Sequence, residues 1–175
     1  MKILSILAML SICTTGKSIN VTTKGTKGSY LQHRHTYDGF GCTGLNQVPD
    51  ISWSELPQDA KYVSITIYDP DAPTGGGWWH WAISNIPVDT FKRINNDNYK
   101  KVVAAGAVES LTSFGQPGYG GPCPPKEDHP HRYVVSVYAL KDKIKVESSY
   151  QPALVGFILN SNKLAMTTTT LLYGR

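Results

Sequence analysis

Tyr62-Val-Ser-Ile-Thr-Ile-Tyr-Asp69 alternates with a period of two, and that alternation decides how the chain is built. Successive side chains of an extended strand point to opposite faces, so Val63, Ile65 and Ile67 share one face and Tyr62, Ser64, Thr66 and Tyr68 the other. The segment predicts a strand with its apolar face in a core and Asp69 at its end. Pro70 and Pro73 then fix φ and remove two backbone donors, so the chain bends and holds Asp69 and Asp71 on a stiff turn.

The thirteen residues from Asp69 to Trp81 carry two aspartates, a histidine, Gly75-Gly-Gly77 and three tryptophans, a composition suited to lining a ligand site. Trp79 to Ile86 predicts the next strand, in which Trp79, Trp81 and Ile83 alternate with His80, Ala82 and Ser84. Strict alternation would put His80 on the face opposite both Trp79 and Trp81. The glycines make no nucleotide site, because no Walker lysine follows them and no helix pattern comes after.

Outward from this centre the pattern stays strand-like. Residues 22–35 suggest an irregular or edge-like start, with early strands flanking Ser29-Tyr-Leu31 and Phe40. Pro49 to Pro57 predicts a short strand and turn with Trp53 buried. Asn95-Asn-Asp-Asn98 is a turn, and Glu109 to His131 is a long glycine- and proline-rich segment of the kind that carries function. His131 to Leu140 predicts a central strand and Ala165 to Tyr173 a final one. One helix is expected, starting near Pro152 with Leu154, Phe157, Ile158 and Leu164 as its apolar side. Short strands and glycine turns predict an antiparallel sandwich.

The chain has 175 residues, which suits one domain, expected over residues 19–175. Lys and Arg total 17 against 13 Asp and Glu, a formal charge of +4 with no basic stripe, which argues against nucleic acid and mildly favours anionic ligands. Met1-Lys2 and the apolar run Ile3 to Cys13 have the form of an export signal, expected to end by residue 18 and too short to span a bilayer. A lipid-anchored leader and a buried N-terminal strand are the alternatives. Export to a periplasm or beyond would leave Cys42 and Cys123, both in glycine-rich turns, to form a disulfide. Two free thiols in a reducing compartment are the other reading.

Asp69-Pro-Asp-Ala-Pro73, His80-Trp81 leading to Asn85-Ile-Pro87, Gly118-Tyr-Gly-Gly-Pro-Cys-Pro-Pro125 and His131-Arg-Tyr133 resemble, in order, the signatures of the phosphatidylethanolamine-binding proteins, also called the Raf kinase inhibitor family. The leader, Phe40-Gly-Cys-Thr-Gly44 with Asn46 and Pro49, and the cysteine of the proline-rich loop resemble the exported bacterial members in particular. The resemblance implies an all-β, antiparallel Greek-key sandwich with one or two short peripheral helices. It also implies a small pocket for phosphate-like anions or phospholipid headgroups. From the residues themselves no catalytic group, cofactor or metal is expected, since the carboxylates and imidazoles form no arrangement that demands a particular ion. Matched by motif, the ligand-binding residues would be Asp69, Asp71, His80, Gly120, Gly121, Pro122, His131 and Tyr133. The chain departs from the animal members at Trp81, at Cys123 and in lacking their C-terminal helical extension.

As chemistry, His80 and His131 are the expected anion-facing donors. Asp69 would orient an imidazole or accept a proton from a phosphate or an ammonium, and N–H groups of Gly120 and Gly121 would complete a cradle. Trp78, Trp79 or Trp81 would wall the rim, and Arg132 would pair with an acidic side chain. Two other classes compete: a protein-interaction module such as a protease inhibitor or a modulator of an envelope or host protein, and a small hydrolase. The hydrolase lacks a nucleophile, since Ser113 and Ser136 lie in no elbow.

Overall fold

The computed structural model describes residues 18–24, 26 and 29–175, so the expected leader lies outside the described residues apart from Ser18. Its strands are β1 (Asn20–Lys24), β2 (Asp38–Gly39), β3 (Cys42–Thr43), β4 (Asp50–Ser54), β5 (Tyr62–Asp69), β6 (Trp78–Pro87), β7 (Arg93–Ile94), β8 (Val108–Glu109), β9 (His131–Leu140) and β10 (Lys163–Tyr173). Helix α1 (Tyr99–Ala104) precedes β8, and α2 (Pro152–Asn162) precedes β10. A three-stranded sheet, β1-β4-β7, faces a five-stranded one, β10-β9-β5-β6-β8, and every pairing between these strands is antiparallel. The chain is therefore all-β with short helices, an antiparallel sandwich.

The alternation of β5 places it as read. Val63, Ile65 and Ile67 are buried between the sheets with Ile51, Trp53 and Ile94 from the small sheet and Val135 and Val137 from β9. The other face is covered as well: Ser64 and Thr66 are buried. On that side Val155 and Leu159 of α2 pack with Ala82, Tyr138 and Leu140 in a second cluster.

Two expectations need correction, and that of strands flanking Phe40 holds. The helix begins at Pro152, but the residues it buries are Pro152, Val155 and Leu159, while Leu154 and Phe157 are exposed and Leu164 belongs to β10. Pro152 to Leu159 is apolar almost all round, so periodicity could not choose the inward stripe; packing on the sheet does. Tyr30 makes a single parallel bridge to Leu172 rather than a strand. The strand pairing near Phe40 is a hairpin, Gly39 opposite Cys42, whose loop residues Phe40 and Gly41 hold φ of 52° and 77°. Two consecutive positive φ values make a tight primed turn, a strained place for an aromatic side chain.

Candidate functional site

The bend after β5 is held by the Asp69 carboxylate. Its Oδ1 accepts the N–H groups of Asp71 at 2.8 Å and Ala72 at 3.1 Å, closing the turn that Pro70 and Pro73 stiffen. Its Oδ2 lies 2.7 Å from Nδ1 of His131, at the start of the neighbouring strand β9, and both side chains are buried. The second nitrogen of His131, Nε2, lies 3.2 Å from Oδ2 of Asp128. Burial alone disfavours an imidazolium, but the hydrogen bonds and charges of Asp69 and Asp128 outweigh it and hold the His131 pKa above its ordinary value.

His80 behaves in the opposite way. Its Nδ1 lies 2.7 Å from the Gly120 carbonyl, an acceptor, so Nδ1 carries the proton and Nε2 of the neutral ring presents a lone pair. Burial pushes its pKa down to about 4, against weaker support from Gly120 and Asp69. The ring meets Phe114 and Tyr133 edge-on, with centroids 5.5 and 5.0 Å away.

A β-bulge aims that ring. Ile67 pairs with Trp81 and Tyr68 with Trp79, so His80 is an extra residue in β6, which has a second one between Ile83 and Ile86. Two consecutive residues opposite one on the partner strand break the alternation. Trp79 turns to the α2 side, 3.8 Å from where a Cβ on Gly156 would sit, and Trp81 enters the core against Tyr99 and Tyr119. The expectation that His80 opposes both tryptophans is thus corrected: it opposes Trp79 but shares the inner side with Trp81.

Asp69, His80, His131 and Tyr133 line one cavity of about 320 Å³. The Tyr133 hydroxyl, on a side chain 1% exposed, has no hydrogen-bond partner among the described residues. Phe40, Trp78 and Phe114 line the same cavity, as do Cys123, Pro124, Pro125 and Arg175. Phe40 meets the other two rings at centroid distances of 6.4 and 6.0 Å, which makes an aromatic patch over a polar floor.

Four residues matched by motif do not line this cavity. Asp71 faces Arg132, accepting from its backbone N–H and, at 2.6 to 3.2 Å, from its guanidinium, which holds the carboxyl down at about 2. The Gly120 N–H donates to the His80 carbonyl, and the Gly121 N–H to Asn46 Oδ1. Pro122 offers its carbonyl to the Tyr37 N–H. The glycine cradle is corrected accordingly: these glycines serve close packing, since a Cβ on Gly121 would meet the His35 carbonyl oxygen at 2.0 Å and one on Gly120 would meet Phe114 at 2.3 Å. His131 is corrected as a free donor, because both ring nitrogens face carboxylates.

Sequence reasoning missed Phe40, Phe114, Asp128 and Arg175. Asp128 lies three residues before His131, a visible signal; the others sit in turns or at the end of a strand, where no period reports direction. Cys42 and Cys123 form a disulfide that joins the β2–β3 hairpin to the proline-rich loop along the cavity wall.

A model of the phosphatidylethanolamine-binding protein family matches residues 21–174. The chain belongs to the phosphatidylethanolamine-binding protein family. Among its relatives, the UPF0098 protein YbcL of Escherichia coli K12 is 43% identical over 97% of this chain and 94% of its own length. The UPF0098 protein YbhB of the same organism is 39% identical over 83% and 93%. The crystal structure of E. coli YbcL, described as a new member of the mammalian family, superposes with a TM-score of 0.82 over 90% of this chain and 99% of that one. A homologue from Chlamydia trachomatis, 24% identical, shares the fold with a TM-score of 0.75 over 91% of this chain and 99% of that one.

Proposed function

We propose that this cavity binds a phosphate-like anion or a phospholipid headgroup and does not turn it over. The observation that carries the reading is the unpartnered Tyr133 hydroxyl, buried beside Asp69 and the open Nε2 of His80 beneath an aromatic patch. A buried hydroxyl left without a partner among the described residues is costly, and a ligand that reaches it would remove that cost. Tyr133 can donate to a phosphoryl oxygen. His80 Nε2 accepts, so it suits a P–OH or an ammonium rather than a bare anion. His131, whose pKa the neighbouring carboxylates hold up, bonds Asp69 through Nδ1 and fixes its orientation. Among the described residues no hydroxyl bonds either ring; the Ser113 hydroxyl instead accepts the Trp79 N–H at 2.8 Å, which weighs against the hydrolase.

We place the protein outside the cytoplasm on two supports: the export-like leader of the sequence, and a disulfide that an oxidising compartment would preserve. Titration calorimetry with inorganic phosphate and glycerophosphoethanolamine tests the binding. Removing one hydrogen bond to a charged group costs about 1.5 to 3 kcal/mol, so His80→Ala and Tyr133→Phe are expected to lose about tenfold to a hundredfold in affinity. Unchanged affinity in both variants would place the ligand elsewhere, and steady release of a cleaved product would move the reading to hydrolysis.

A further inference from the structure

Resting on that binding reading, we infer that Arg175 receives the negative charge of the ligand, and that the ligand is bipolar: a hydrogen-bond donor on the cavity floor with an anionic group at the rim. The floor offers one open lone pair, that of His80 Nε2, beside the Tyr133 hydroxyl, which can donate or accept. The Asp69 oxygens are taken by the Asp71 and Ala72 N–H groups and by His131, and His131 is held between two carboxylates, so the floor supplies no cation free to meet an anion. Arg132 is committed to Asp71 and does not line the cavity. Among the described residues that do, Arg175 is the one with a permanent positive charge.

Its placement is built. Nε donates to the Pro124 carbonyl at 2.6 Å and Nη1 to the Gly41 carbonyl at 2.9 Å, and Nη2 has no partner among the described residues. Gly41 and Pro124 each adjoin a half-cystine of the Cys42–Cys123 disulfide, so the guanidinium is held between two loops that are themselves tied together. An anchored fork with free N–H groups loses little freedom on meeting an anion. Two ligand types share the required chemistry. A monoprotonated phosphate would put P–OH on the floor and an anionic oxygen on Arg175, whereas a phosphoethanolamine would put its ammonium on the floor and its phosphate on Arg175.

Calorimetry on the disulfide-intact protein, with wild type, Arg175→Gln and Arg175→Lys at several salt concentrations, tests this. The probes are inorganic phosphate, glycerophosphoethanolamine, and dimethyl phosphate as an anion with no donor. For the first two, Arg175→Gln is expected to lose about tenfold or more in affinity, with Arg175→Lys between it and wild type. The weakening of binding by salt should flatten in Arg175→Gln, because the screened charge is gone. A residue that only held the loops in place would lower affinity and leave the salt dependence as in wild type, which would overturn the inference, as would equal affinity in Arg175→Gln. Dimethyl phosphate is expected to bind wild type at least about tenfold more weakly than the donor-bearing probe that binds; equal binding would overturn the bipolar ligand. Binding of phosphate alone, or of glycerophosphoethanolamine alone, identifies which source supplies the donor. Failure of every probe to bind wild type would overturn the binding reading itself, an outcome distinct from failure at Arg175.

Discussion

His80 and His131 lie in one cavity yet titrate in opposite senses, and the stability of the protein should show both. Burial lowers the His80 pKa from 6.5 to about 4, so the folded state favours the neutral ring. Its contribution is fully present above pH 6.5 and is lost as pH falls toward 4; with the ring fully buried, the shift corresponds to roughly 3 kcal/mol. His131 has a raised pKa, so its contribution is complete below 6.5 and fades as pH rises through the raised value. Denaturant melts from pH 4 to 7 are expected to show an acid limb that flattens in His80→Gln, and an unchanged slope in that variant would contradict the burial argument. Ligand binding should follow another group. Because His80 is neutral at pH 7, the affinity for a phosphate monoester is expected to fall as the ligand loses its second proton, near pH 6. Glycerophosphoethanolamine, which keeps its ammonium there, should not follow that fall. A common titration curve for the two ligands would show that the floor does not discriminate by donor. Sequence alone brought Asp69, His80, His131 and Tyr133 into one candidate site. It misjudged the state of His80, which burial keeps neutral and whose Nδ1 the Gly120 carbonyl reaches only in the folded chain, and it missed that Asp128 takes the second nitrogen of His131, while the raised pKa beside a carboxylate holds for His131.

At the level of elements, β5 was legible because its period-two pattern coincides with burial, whereas the orientation of α2 was not, because its central residues are apolar on several sides. The two cases give contrasting expectations. Ile65→Ala and Leu159→Ala remove buried side chains and should each cost about 2 to 5 kcal/mol. Phe157→Ser, at a position 70% exposed, should change stability by less than about 0.5 kcal/mol. Denaturant midpoints of the three variants check this, and a larger loss at Phe157 than at Leu159 would invert the helix. The bulge at His80 in β6 escaped the sequence for a related reason: an extra residue leaves no mark on composition, and the hydrophobic alternation reads straight through it.

In the whole molecule, the family signatures marked the floor of the cavity, and tertiary structure supplied its rim. Phe40, Phe114 and Arg175 arrive from separated stretches, and the Cys42–Cys123 bond ties two of those stretches together across 81 residues of sequence. Loss of the bond in Cys42→Ser/Cys123→Ser is expected to lower stability by up to about 4 to 5 kcal/mol on a chain-entropy estimate. Melts with and without reductant measure it: wild type should fall toward the double variant when reduced, and the variant should not respond. Equal midpoints for oxidised wild type and variant would mean that the bond constrains little beyond what packing already fixes.

The extra residue at His80 also makes the site a matter of counting. Exchanging one apolar side chain for another near His80 leaves the ladder in place, but removing a single residue such as Trp79 would let Ile67 to Asp69 pair in unbroken register with what remains. His80 would then stand opposite Tyr68 and turn toward α2, emptying the floor while the hydrophobic pattern of the strand survived. The length of this strand is therefore under tighter constraint than its composition. Within the hairpin turn the open positions are Gly75 and Gly76, where an added Cβ would meet nothing within 4 Å, whereas one at Gly77 would meet the Tyr68 hydroxyl at 2.3 Å.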